Sequence, residues 1–207
     1  IRDSFTPAGP MPYEVFINSH WIENTSDTLQ VYGNVDEVEL LLNGRVVARQ
    51  HPDSKPTTKD YVSRPDGGNA TNINFPPFTF FNIKWEQGDL KAVGYKDGKA
   101  VAEHVVRTPG TVDAMDITYF ESGVPASRHD LLIVYVNLKD RQGTDCFGEN
   151  KQEVKLEVLQ GGELRGPAKV KAEAGVASFL VATTDSPVLV MKAVSGKLEI
   201  ISKLKLK

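Results

Sequence analysis

The sequence predicts an all-β chain built as two tandem immunoglobulin-like β-sandwiches. Helical periodicity is nearly absent, while apolar and polar residues alternate with a period of two in run after run. Asn43-Gly44 and Asp97-Gly98 each sit between β-forming stretches and suit the two-residue hairpin turn that needs φ > 0 at both positions. The alternating runs recur often enough for about seven strands in each half. At 207 residues the chain is long enough for two cores, since a domain of about 100 residues buries its own.

In "TLQVYGN", Leu29 and Val31 share one face, and in "DEVELLLNGRVVARQ" Val38, Leu40 and Leu42 point inward while Glu37 and Glu39 face water. "PFTFFNIKW" is apolar on both faces and reads as a central strand. "DLKAVGYKDGKAVAEHVV" is a second hairpin, with Leu90, Ala92, Val101 and Val105 as its apolar contribution. Pro109-Gly110 in "RTPGTVDAM" then breaks the pattern, and the domain boundary is placed there. The expected organisation is a linker over residues 1–11, one sandwich over 12–109 and a second over 110–207. In the second half Leu132, Val134, Val136 and Leu138 alternate inward, followed by Val154, Leu156 and Val158, then "GVASFLVAT" and "VLVMKAVSG". "KLEIISKLKLK" alternates throughout, and its lysines read as a solvated face that discourages strand addition. Residues 50–76 carry almost no apolar pattern and form a long connection, read as a surface insertion ahead of a binding role.

A net charge of −3 gives no footprint for nucleic acid, and no apolar run approaches the length needed to span a bilayer. Cys146 is the single cysteine, so neither an internal disulfide nor a cysteine metal site is available. No Gly-x-Ser-x-Gly turn, phosphate-binding glycine motif or paired histidine motif occurs, and "GGELRG" over residues 161–166 reads as a turn between strands. Glycoside hydrolysis needs two carboxylates facing each other across a sugar, and no pair stands out among residues such as Glu37, Glu39 and Glu157. The oxygen-rich stretch 140–153 lacks the ordered spacing of a calcium loop and is expected to be structural. Neither a metal nor a cofactor is expected. Trp21 and Trp85 are weighed as a sugar-stacking platform or as core anchors, with Trp21 the more exposed of the two. Tyr61, in the long connection, joins Trp21 as a substrate-contact candidate. Asn24 and Asn69 head glycosylation sequons.

"PYEVFINSHW", "VYGNVDEVELLLNGRVVARQ" and "PPFTFFNIKWEQGDLKAVGYKDGKAVAEHVVRTPG" together resemble the immunoglobulin-like domain that follows the catalytic barrel in bacterial glycoside hydrolases of family 2, the β-galactosidase-like enzymes. The match is collinear over residues 12–110, with Val35 where that pattern often carries Cys, and with a longer 50–76 connection. Residues 111–207 resemble, less closely, the further C-terminal sandwich of the same enzymes. The resemblance implies catalytic glutamates located in the barrel, the acid/base preceded by Asn. This chain has no Asn-Glu pair and no repeated βα pattern.

The expectation is therefore a non-catalytic accessory fragment of a carbohydrate-degrading enzyme. It begins at Ile1 rather than Met and reads as a piece of a longer protein. Its expected partner is the catalytic barrel of the parent chain, with polysaccharide and a second copy of the chain left open. Export to the periplasm or outside the cell is favoured over the cytoplasm. The alternatives are a carbohydrate-binding module resting on Trp21 and Tyr61, or part of a surface adhesin.

Overall fold

The computed structural model describes residues 11–53, 75–120 and 123–207. Among them every regular element is a strand, and the strands form four antiparallel sheets. The chain divides into two compact units, Ile1–Thr108 and Pro109–Lys207.

In the first unit β1 (Val15–Ile17), β2 (Leu29–Gly33) and β5 (Phe78–Phe80) form one sheet in the order β1-β2-β5. β3 (Glu37–Leu42), β4 (Arg45–Gln50), β6 (Asp89–Lys96) and β7 (Lys99–Arg107) form the other, ordered β4-β3-β6-β7. Both hairpin turns have positive φ at both central residues, 51° and 79° at Asn43-Gly44 and 49° and 74° at Asp97-Gly98, the twist-matching geometry that Asn-Gly and Asp-Gly supply. Val31, Val38, Leu40, Phe78, Leu90 and Ala92 are fully buried between the sheets.

Two expectations need correction. "PFTFFNIKW" contributes only the three residues of β5, which lies at an edge and pairs with β2 alone; Asn82, at φ 60°, takes the chain out of extended geometry just beyond it. In β7 the inward face is Ala102, His104 and Val106, while Val101 and Val105 are exposed. A bulge between Gly94 and Tyr95 shifts the pairing of this hairpin by one residue, which sends every side chain on one side of it to the opposite face.

The second unit sets β11 (Gly162–Leu164), β13 (Val176–Thr183), β9 (Leu131–Asp140) and β8 (Val112–Tyr119), in that order, in one sheet. β12 (Lys169–Lys171), β10 (Glu153–Gln160), β14 (Val188–Ser195) and β15 (Leu198–Lys205) make the other. Val134, Val136, Leu138, Val154 and Leu156 are fully buried, on the parity read from the sequence. Leu198, Ile200 and Leu204 of β15 pack against the same core. Residues 161–166 are more than a turn. Gly161, at φ 79°, redirects the chain from β10 in one sheet into β11 in the other, and a Cβ there would stand 2.1 Å from the Val188 carbonyl oxygen.

The oxygen-rich stretch is a turn organised by a buried carboxylate. Asp140 Oδ2 accepts from the Gly110 amide at 2.8 Å, and Oδ1 accepts from the Gln142 and Thr144 amides at 2.8 and 2.9 Å. The Gly110 amide leads the donors that hold the carboxyl below its ordinary value, against the opposing effect of burial. Cys146 lies beneath this turn, and burial pushes its thiol up to about 11, with Asp140, Asp145 and Glu149 adding to the effect.

The two glycines at positive φ give a direct comparison. Gly98 faces open space, so Gly98→Ala costs only the left-handed strain, about 1 to 2 kcal/mol. Gly161→Ala adds the collision with β14 and costs about 3 kcal/mol or more. Urea denaturation of the two variants reads this difference, and equal losses would contradict the close approach at Gly161.

Candidate interaction surface

The first unit carries an open hollow of 760 Å³ beside β1 and β2. Its construction begins with Asn34. The side-chain carbonyl of Asn34 accepts from the Glu14 amide at 2.8 Å, its amide group donates to the Pro12 carbonyl at 2.8 Å, and its backbone N–H donates to the Glu14 carbonyl. The incoming chain is thereby fastened alongside the end of β2. Gly33 makes that approach feasible, because a Cβ there would lie 2.7 Å from the Glu14 carbonyl oxygen.

Once β1 is seated, Val15 and Ile17 go inward and Phe16 goes out, directly opposite Tyr32 of β2. Phe16 and Tyr32 are 54% and 41% exposed, and Met11, Tyr13 and Phe75 complete the apolar lining at 49%, 45% and 50%. The Phe16 ring rests against His104 with centroids 4.7 Å apart. His104 in turn fixes β1, since its Nδ1 accepts from the Ile17 amide at 3.1 Å. That bond requires an unprotonated Nδ1, and burial alone holds the ring below the ordinary histidine value.

The polar groups around the hollow are largely occupied. Asn34 is spent on the backbone, the Tyr32 hydroxyl donates to Gln30 Oε1 at 3.1 Å, and Glu103 pairs with Lys91. A smaller hollow of 200 Å³ adjoins, sharing Gly33, Asn34 and Phe75. On its rim Asp36 accepts from Lys96 at 2.5 Å and from the Asp97 amide at 3.1 Å, and the Lys96 bond is the first cause of its lowered carboxyl pKa. Across the outer face of the larger sheet the character changes. Arg49 reaches Glu37 at 2.7 Å and Glu39 at 3.8 Å and stacks 4.6 Å over the Tyr95 ring, leaving a charged, solvated surface there.

Of the two substrate-contact candidates, Trp21 is buried at 1% exposure and its indole N–H donates to the Glu86 carbonyl at 2.9 Å. It is a core anchor with no free face for a sugar, which corrects the expectation of an exposed ring. Trp85, the more exposed of the pair, donates to Thr108 Oγ1 at 3.2 Å and packs on the same core. Tyr61 lies outside the described residues, as does most of the 50–76 connection. Its described stem is pinned by Asp53, which accepts from the Thr79 hydroxyl at 2.6 Å and the Thr79 amide at 3.2 Å. The exposed aromatics Phe16 and Tyr32 were missed by the sequence reading, although apolar residues on the outward parity of half-buried strands are a signal that could have found them.

Residues 24–102 match a family model described as "Domain of unknown function (DUF4982)". Over 189 residues the chain is 29% identical to a β-galactosidase of Thermoanaerobacter pseudethanolicus, a match covering 89% of this chain and 25% of that protein. The chain is thus similar in sequence to part of a β-galactosidase. Its fold agrees with that of a family 2 β-glucuronidase at a TM-score of 0.72 and 20% identity, covering 95% of this chain and 20% of the other. A family 2 member from Bacteroides cellulosilyticus gives a TM-score of 0.65 at 19% identity, covering 91% of this chain and 24% of that one. The chain thus spans a fifth to a quarter of the length of these three proteins, at 25%, 20% and 24%.

Two outcomes follow from this geometry. Trp21→Ala removes a fully buried indole and lowers stability by about 3 to 5 kcal/mol, measured by chemical denaturation; a stable, well-folded variant would mean that the ring is not packed. His104 has a folded pKa below its unfolded one, so its contribution is present above about pH 6.5 and is lost as pH falls through the folded value. Hydrogen exchange at the Ile17 amide, corrected for intrinsic rate, accelerates on acidification, and in His104→Phe it is fast at every pH. A flat profile in the parent sequence would contradict the bond.

Proposed function

We propose that this chain is the non-catalytic C-terminal accessory part of a family 2 glycoside hydrolase of the β-galactosidase-like type. It packs against or extends the catalytic barrel of its parent and is exported with it. The carrying observation is one of proportion: 89% of this chain aligns with the β-galactosidase relative, yet it accounts for only 25% of that protein.

The chemistry of the described residues supports the same reading. Asp140 and Asp53 are committed to backbone and hydroxyl donors, and Asp36, Glu37 and Asp89 are held in surface ion pairs. Such carboxylates organise turns and strand faces. Hydrolysis instead asks for an acid and a nucleophile or base opposed across a sugar, with pKa values driven apart. The similar proteins include both a β-galactosidase and a β-glucuronidase, so the sugar is assigned to the parent's barrel and not to this segment.

The test compares the purified 207-residue chain with the parent polypeptide on aryl β-galactoside and aryl β-glucuronide. The expected result is turnover of one substrate by the parent and none by the chain alone. Hydrolysis by the isolated chain, surviving repurification, would end this reading.

A further inference from the structure

We infer that the hollow lined by Met11, Tyr13, Phe16, Tyr32 and Phe75 is a docking surface, and that its occupant is an apolar face of the folded domain preceding this segment in the parent enzyme. The inference rests on the accessory reading just given and names the surface through which it operates.

The first feature is composition. Five large apolar or aromatic side chains, each 41% to 54% exposed, line one hollow. A contiguous cluster of exposed apolar side chains marks an interaction site, and Tyr, Phe and Met are the residues that concentrate in the buried centre of protein interfaces. The second is what the hollow lacks. A sugar site needs convergent donors and acceptors free to receive hydroxyl groups. Here the Asn34 amide, the Tyr32 hydroxyl and the Glu103 carboxylate already have partners. What is left facing out is chiefly ring surface, together with the Tyr13 hydroxyl and the Glu14 carboxylate of the lining, a mixture suited to another protein face.

The third feature is connection. The described chain reaches β1 through Met11 and Tyr13, which are themselves part of the lining. The residues 1–10 before them span at most about 35 Å when fully extended. A domain attached there is held close to the hollow, and a short tether makes even a modest contact persist through its high effective concentration. The relatives supply the chain length for such a domain, since this segment covers 25% of one and 20% of another. The fourth is rigidity. The Asn34 clamp and the His104 bond fix the chain around Phe16 before any partner arrives, which lowers the ordering cost of association. β9 also exposes Leu131 and Ile133, with Phe120 just beyond β8, but there no comparable feature names an occupant.

Hydroxyl-radical footprinting of the parent enzyme against the isolated 207-residue chain tests the assignment. Oxidation of Met11, Tyr13, Phe16, Tyr32 and Phe75 should fall about fivefold in the parent, as half-exposed rings become interface centre. A second measurement uses Tyr32→Asp. In the isolated chain it should leave the melting temperature nearly unchanged, because the side chain is exposed; in the parent it should speed proteolytic cleavage before residue 11 by about tenfold. Equal oxidation in both proteins overturns the docking surface. So does protection already present in the isolated chain, which would make a segment of this chain the occupant, and so does protection that appears only on adding a galacto-oligosaccharide. An active parent with its rings fully oxidisable would remove this inference while leaving the accessory role intact.

Discussion

Each of the two units depends on one constraint: the inward positions of both sheets must close into a dry interior with no covalent staple. The single cysteine cannot supply a bridge, so cohesion rests on side chains such as Val31, Leu40 and Leu90 in one unit and Val134, Leu156 and Val181 in the other, all fully buried. Every other feature is arranged around that closure. Twist-matched hairpin turns keep paired strands aligned, bulges adjust which face a strand presents, and glycines admit backbone where two strands meet too closely for a side chain.

Polar groups follow the same logic. Asp140 takes the Gln142 and Thr144 amides of its own turn and the Gly110 amide from the start of the unit, and Asp53 does comparable duty for buried Thr79. No buried side-chain nitrogen or oxygen among the described residues lacks a partner. In a fold held by burial alone an unmet polar group would cost more than a typical hydrogen bond returns, and the carboxylates are placed accordingly. Their positions answer structural needs.

Much of this was legible in the sequence. The hairpins at Asn43-Gly44 and Asp97-Gly98, and the inward parity of β9, β13 and β14, follow from local turn chemistry and alternation. The departures share a cause, which is that non-local pairing decides them. The bulge at Gly94 is set by β6 against β7, and it places His104 rather than Val105 inward. Trp21 sits in a segment without regular structure, so no period could reveal that the chain folds back to cover it. Gly161 looks like ordinary turn punctuation until β14 is seen crossing beside it. The surface around Phe16 was half readable, because outward apolar parity is visible in sequence while the seat provided by Asn34 and His104, 18 and 88 residues away from it, is not.

The solitary thiol of Cys146 gives the second unit a built-in clock. Buried beneath the Asp140 turn and with its ionisation pushed up to about 11, it presents almost no thiolate to an alkylating reagent while the sandwich is closed. Capture of that one sulfur therefore counts opening events, so a mass increment on a single peptide would time how often this sandwich breathes.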